Sequence, residues 1–507
     1  MAEQVVKKVV VAGGGTAGWM AAAALSKHLG SLVEITLVES DDIGTVGVGE
    51  STIPTARTFN QLLGIDEREF MRATQASFKL GILFEDWARI GDRYVHAFGQ
   101  VGKSTWMAGF HHVWLQARAE GLAGPLDDYC LEGKALKAQR FVAGENGPLN
   151  YAYHLDATLY GRFLRGMSEK AGVRRVEGKI QRVDQHPETG FVRALVMESG
   201  EEVAGDLFVD CTGFRGLVIE QTLKAGYEDW SRWLPTNSAV PLQTVSVGPA
   251  VPYTRAMAHT AGWQWRIPLQ HRVGNGLVYC NEFMSDDEAI AMLLDQVEGE
   301  TLMTPRVIRY VTGKRRKTWD KNVVALGLAS GFVEPLESTS IHMIMIGVLR
   351  LMQLFPLNGV SDALAERFNR LQDAELEAIR DFIVLHYKLT ERTDAPFWNH
   401  CREMPIPDTL AHRIALFQEG AQAYQAAGEL FQVDSWLQVM LGQRLEPRAW
   451  HPMGRLMKRD QLRGALGDLR SNIARAVDRM PTHQQFLDQY MGQAPSVKAA
   501  RPVAARR

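Results

Sequence analysis

The chain has 507 residues, room for two to four modules at about 150 residues each. Its 56 Lys and Arg nearly cancel its 58 Asp and Glu, and a net charge of −2 argues against a mainly nucleic-acid-binding protein. No stretch approaches the roughly 20 apolar residues of a membrane helix, and the four cysteines, none close to another in sequence, suit neither a disulfide scaffold nor a zinc site. No metal is expected. The N-terminal run carries no small-residue cleavage site, so a secretory signal is not expected and a reducing cytoplasm is the simplest location.

The first element comes almost at once. Val5 to Ala12 is a β-branched run fit for a strand buried on both faces. Gly13-Gly14-Gly15-Thr16-Ala17-Gly18 follows, and an Ala-rich stretch to Leu25 reads as a helix. A second strand, Val33 to Val38, ends at Glu39. This is a βαβ unit with a GxGxxG turn and an acid about 20 residues beyond it, the pattern of a Rossmann-like dinucleotide site. Gly13 and Gly15 allow a tight turn and close approach to a pyrophosphate. Thr16 and Ala17 open the helix whose amides face the phosphates. Gly18 lets helix and strand pack closely, and Glu39 would accept hydrogen bonds from a ribose. A ribose diol suits FAD or NAD better than NADP; residue types alone do not separate the first two.

Further along, Val183 to Val203 alternates as a hairpin, and Asp206 to Asp210 reads as a buried strand. Another buried strand, Val323 to Leu328, runs towards Gly331. From Leu349 the pattern turns helical, with Leu364, Phe368, Leu371, Ile379, Phe382 and Ile383 near a 3.6 period. The expected organisation is an α/β module over residues 1–350, a helical region over 351–490 packed on it, and a disordered tail over 491–507.

Several segments then carry a resemblance. They are Gly47-Val48-Gly49-Glu50-Ser51-Thr52, Ser77-Phe78-Lys79-Leu80-Gly81-Ile82, Asp206 to Gly216, Gly262-Trp263-Gln264-Trp265-Arg266-Ile267-Pro268, and Gly331 to Thr339. With the N-terminal glycines, they resemble the flavin-dependent tryptophan halogenases over roughly residues 5 to 450. The resemblance implies a flavoprotein monooxygenase-type α/β fold with a mainly helical C-terminal part. It implies a two-component enzyme: a separate flavin reductase, without a stable complex, supplies reduced FAD. Reduced FAD, oxygen and halide (chloride or bromide) yield hypohalous acid, which reaches an aromatic substrate through a tunnel. A homodimer is the expected assembly.

The resemblance also assigns residues. Lys79 matches the lysine that steers the halogen, and Glu337 the carboxylate that assists substitution. Thr339 and Ser340 match the halide-holding amides. Gly49, Glu50, Ser51, Leu328 and Ile341 join the flavin contacts. His96 and Phe98 match positions that sandwich an indole, and Trp436 is placed on the substrate side. Trp263 and Trp265 are expected to pack together and keep substrate off the flavin. His111 and His112 are expected to be structural. In residue terms, a lysine in a dry tunnel offers a proton or an amine, and a carboxylate balances a cationic ring and takes its proton.

The pattern departs from the family before Ser435-Trp436. The tyrosine pair and acid that hold free tryptophan are replaced by Ala426-Ala427-Gly428-Glu429-Leu430-Phe431-Gln432. Small residues are expected to open space there. Indole or a substituted indole is therefore the expected substrate rather than free tryptophan. The competing readings are a flavin monooxygenase, which has no need of Lys79 or the Trp-x-Trp segment, and a non-catalytic flavin-binding protein.

Overall fold

The structure, a computed structural model, describes residues 5–44, 49–144 and 147–492. Gly47 and Val48 of the second glycine segment, and the tail beyond Gly492, lie outside the described residues. The first strand is Lys8–Ala12, shorter than its apolar run, and the helix after the glycines extends from Thr16 to Leu29. Lys8–Ala12 pairs in parallel with Glu34–Glu39 on one side and Leu207–Asp210 on the other. Val323–Ala325 and Arg174–Glu177 extend this six-stranded sheet. Its central strands are buried throughout, as their β-branched runs require when helices cover both faces.

A second, seven-stranded sheet is mostly antiparallel. It runs from Ile308–Arg309 through Ser238–Thr244, Val273–Tyr279, Gly262–Pro268 and Tyr253–His259 to Gly81–Glu85 and Arg93–Ala97. A small sheet joins Gly49–Ser51, Ala152–Asp156 and Ser77–Lys79 between the two. The predicted hairpin at residues 183–203 gains a third strand, in the order Glu202–Ala204, Val192–Met197, Ile180–Gln185.

Helices cover the rest. Ser340–Gln353 begins nine residues before the expected onset at Leu349. Asp362–Lys388 follows, burying Phe368, Leu376, Ile379, Phe382 and Ile383 on one face. Val433–Gly442 packs on Arg93–Ala97. The last helix, His483–Gly492, takes in residues 491 and 492, the first two of the expected tail.

Candidate active site

A cavity of about 960 Å³ opens at the carboxyl ends of the parallel strands, the place where this class of sheet binds ligands. Gly13, Gly15, Thr16 and Ala17 line it, with Glu39 at its side. Gly49, Glu50, Ser51, Leu328 and Ile341 line it as well. Gly13 has φ +105°, and a Cβ there would sit 2.4 Å from the Cys211 carbonyl oxygen. Gly18 does not reach the cavity; its Cβ would meet the Gly13 carbonyl at 1.9 Å, so it is a packing glycine. A Cβ on Gly15 would meet nothing within 4 Å and would project into open space. That open cradle fits a dinucleotide phosphate. Glu39 is held by Trp19 Nε1 at 3.3 Å and Arg175 Nε at 2.6 Å. Burial raises the Glu50 carboxyl to about 7.

Lys79 lies beyond the cavity wall. It ends the strand Ser77–Lys79, which pairs with Ala152–Asp156 and thereby places Tyr153 and His154 as scaffold. Its side chain is fully buried. Nζ donates to the Thr52 carbonyl at 3.1 Å and to Ser338 Oγ at 2.9 Å. Burial pulls the ammonium down to about 7, against the opposing pull of Glu337. Ser338 is left-handed, φ +60°, a costly conformation for a residue with a Cβ. It lines the cavity and touches Lys79, so it links the cavity wall to the lysine.

Glu337 stands between two imidazoles. His96 Nδ1 is 2.8 Å from Oε2. His386 Nε2 is 2.9 Å from Oε1, close enough to pair but not aligned as a hydrogen bond. Burial pushes the carboxyl up, yet the two histidines outweigh it and hold the group at about 2. His386 Nδ1 faces the Phe382 carbonyl oxygen at 2.8 Å, which fixes its proton there. Nε2 is therefore the nitrogen turned towards Glu337. Sequence reasoning missed His386, which sits in an ordinary helical run with no local signal.

The structure brings His96 and Phe98 to this centre. The Phe98 ring lies 5.0 Å from Lys79 Nζ. His96 faces Glu337 as well as the aromatic side, where Phe431 is 6.1 Å away and Phe382 5.5 Å. Phe431 stacks on Phe382 at 3.8 Å. The expected opening at residues 426–432 is thus filled by the Phe431 ring, a residue sequence reasoning did not single out. Trp436 is one layer back, edge-on to Phe382 at 4.8 Å with the Arg413 guanidinium 3.9 Å over its face. Arg413 also pairs with Glu429 at 2.6 Å.

Trp263 and Trp265 form the expected packed pair, centroids 6.1 Å apart, on the wall of the cavity. Trp263 Nε1 donates to Glu334 at 3.0 Å. Opposite Trp265 is Gly276, where a Cβ would fall 2.0 Å from the indole, so the strand leaves room for one ring only. Thr339 precedes the helix Ser340–Gln353, whose first amides lack partners within the helix. Ser340 and Ile341 face the cavity. His111 and His112 make internal hydrogen bonds: His111 Nε2 donates to Ala421 O at 2.8 Å, and His112 Nδ1 accepts the His451 amide at 3.2 Å.

The tryptophan halogenase family profile matches residues 8–459. Among solved structures, Xcc4156, a flavin-dependent halogenase from Xanthomonas campestris, is 52% identical with a TM-score of 0.95, covering 96% of this chain and 99% of that one. BrvH, a flavin-dependent halogenase from Brevundimonas sp. BAL3, is 45% identical with a TM-score of 0.92 over the same shares. Tryptophan 7-halogenase RebH of Lentzea aerocolonigenes is 34% identical over 96% of this chain and 99% of its own length.

Proposed function

The chain belongs to the tryptophan halogenase family, and from that premise we propose how its residues carry the reaction and which aromatic it takes. It is a flavin-dependent halogenase, an oxidoreductase that works with a separate flavin reductase. Bound FAD in its reduced form supplies, with oxygen and a halide, the hypohalous acid. The glycine turn and the helix beginning at Thr16 would hold its phosphates, and Glu39 its ribose. The amides of Thr339 and Ser340, at the start of the helix Ser340–Gln353, would hold the halide, chloride or bromide.

Hypohalous acid leaves the cavity past Ser338 and meets Lys79. Two of the Nζ protons are engaged by Thr52 O and Ser338 Oγ, which leaves the third to hold the hypohalous oxygen and polarise the halogen. The ring sits against Phe98 and His96, displacing Phe431 from its stack. Glu337 balances the cationic ring and takes its proton, with His96 and His386 on either side of the carboxylate to orient it.

Indole or a substituted indole is the proposed substrate. The supporting observation is that Arg413 is spent on Glu429 and Trp436, so it offers nothing to an amino-acid carboxylate. The reading includes a cytoplasmic homodimer and a transient reductase encounter. Among the described residues no helix is long and apolar enough to cross a membrane.

The observation that carries this reading is Lys79, buried and hydrogen-bonded to Ser338 on the cavity wall, with Glu337 next along the chain. The test is a mass-spectrometric assay with reductase, NADH, FAD, bromide and catalase, offering indole and tryptophan together. Bromoindole in excess over bromotryptophan is expected, and its loss in Lys79→Ala at unchanged oxygen consumption. A hydroxylated product, or tryptophan preferred over indole, would overturn the reaction or the substrate respectively.

A further inference from the structure

The strand that carries Lys79 is supported from the far end of the chain. One edge of Ser77–Lys79 is paired with Ala152–Asp156. On the other, the Phe78 amide donates to His483 Nε2 at 3.2 Å, across 405 residues. His483 Nδ1 donates to the Ala250 carbonyl at 2.6 Å. The two contacts together demand one tautomer, protonated on Nδ1 and bare on Nε2. Burial takes the imidazole down to about 4, so it keeps that form through neutral pH. His154 and Asp488 are its titratable neighbours.

The rest of the helix His483–Gly492 reinforces the contact. Gln484 Oε1 accepts the Ala250 amide at 2.9 Å, so one helix turn holds both backbone groups of Ala250. Phe486 and Tyr490 lie edge-on to the Phe78 ring at 5.6 and 5.5 Å, and Phe141 stacks on it at 4.3 Å. Tyr490 is anchored by its hydroxyl to Glu67 at 2.7 Å. The residue beside Lys79 is thus gripped through its amide and its ring, while nothing in this helix touches the flavin cavity.

We propose that His483 is a positioning residue for Lys79: its imidazole replaces the missing neighbour of a three-residue strand and holds Nζ where hypohalous acid leaves the flavin cavity. The proposal rests on the halogenase reading for its consequence, though not for its geometry. A shift of about an ångström at a reacting group costs up to a hundredfold in rate. Loosening this strand should therefore uncouple oxidant formation from ring halogenation rather than stop both.

The test compares His483→Gln, which can accept from Phe78 and donate to Ala250, with His483→Asn, too short to reach both, and His483→Phe, which keeps only bulk. Tyr490→Phe, which removes the Glu67 anchor alone, reports what simple loosening of the helix does. Two readouts are taken. One is halogenated indole per oxygen consumed, with escaping hypohalous acid caught by a diketone trap. The other is the titration of the Lys79 ammonium by NMR of lysine-labelled protein without flavin, assigned by Lys79→Ala.

In the Asn and Phe variants, coupling is expected to fall about tenfold or more and trapped oxidant to rise. Lys79 should then titrate closer to an ordinary lysine as water reaches it. His483→Gln should restore both to within about twofold, and Tyr490→Phe should lower the melting temperature without changing either. Equal coupling in all variants, an unmoved Lys79 titration, or failure of Gln to rescue would overturn the proposal. If the wild type halogenated no aromatic at all, the functional reading would fail, and the Lys79 titration would still decide the role of His483.

Discussion

A lysine ammonium taken wholly out of water is a standing cost to the fold, and Lys79 bears it. Its titration falls from the ordinary 10.5 to about 7 because burial disfavours the charge. Between those pH values the unfolded chain binds the extra proton, so this residue's contribution to stability improves as pH rises from 7 towards 10.5. Below pH 7 the full penalty stands, roughly 5 kcal/mol from that gap. Lys79→Met is therefore expected to melt at a higher temperature than wild type at pH 6 to 7, with the advantage shrinking towards pH 10. A variant that melts lower at pH 6 would contradict this account. The same titration sets activity. If the ammonium holds hypohalous acid, ring halogenation falls as pH rises through about 7 while oxygen consumption does not; a limb in the opposite sense would assign the neutral amine instead. Glu337 makes the complementary case, a carboxylate held near 2 by its two histidines. Glu337→Gln should lower halogenation about a hundredfold or more. His386→Leu should raise the carboxyl's titration and bring in an acid limb at higher pH than wild type, read from the pH–rate profile. Lys79 and Glu337 were legible because each sits inside a recognisable run of neighbours. His386 and Phe431 were not, because their roles arise from contacts with residues far away in sequence, and a histidine or phenylalanine in an amphipathic stretch ordinarily reads as core.

The elements obey the same division. The turn from Lys8–Ala12 into Thr16–Leu29 was readable because its chemistry is local: a strand buried on both faces, glycines, then Ala-rich helix. Its three fingerprint glycines nevertheless do different work. Gly15→Ala adds a methyl to open space in the phosphate cradle, so it should weaken FAD binding about tenfold and leave the melting temperature nearly unchanged. Gly18→Ala drives a Cβ to 1.9 Å from a backbone oxygen that cannot retreat, so it should destabilise the protein by about 2 kcal/mol or more before any flavin is added. Fluorescence titration with FAD and thermal melting separate the two; equal loss of stability in both would refute the distinction. The seven-stranded sheet was much less legible. Its order places Gly81–Glu85 in parallel beside Tyr253–His259, a pairing that no turn signal announces, since the partners are some 170 residues apart. The onset of Ser340–Gln353 was also hidden. The residues before it, Pro335–Glu337 and left-handed Ser338, break the helical period where Glu337 and the first helix amides are presented.

On the scale of the whole molecule, composition argued against a membrane span and a mainly nucleic-acid-binding role but could not say how the helical half meets the α/β half. The contacts converge on the candidate site. Tyr387 and His386, from Asp362–Lys388, reach Glu334 and Glu337. Gln438, from Val433–Gly442, pairs with both backbone groups of Ala97, next to His96. His483 holds the strand of Lys79. One hydrophobic cluster runs from Val9 and Trp19 through Phe78 and Trp263 to Phe382, Trp436 and Leu487. A fragment ending near residue 350 would expose the apolar faces that Phe382, Trp398 and Trp436 now cover, and would leave Glu337 without one of its two histidines. We expect it to be insoluble or molten, binding hydrophobic dye without a cooperative melt. The full chain should instead unfold in a single calorimetric transition although its length would allow several modules, because no boundary here lacks core contacts. Two resolved transitions, or a soluble 1–350 fragment that binds FAD with the affinity of the whole chain, would show that the helical region serves the substrate side alone. With one transition, the substrate compartment and the flavin fold stand or fall together, and substitution of His483, as distant as the last helix, is expected to register at Lys79.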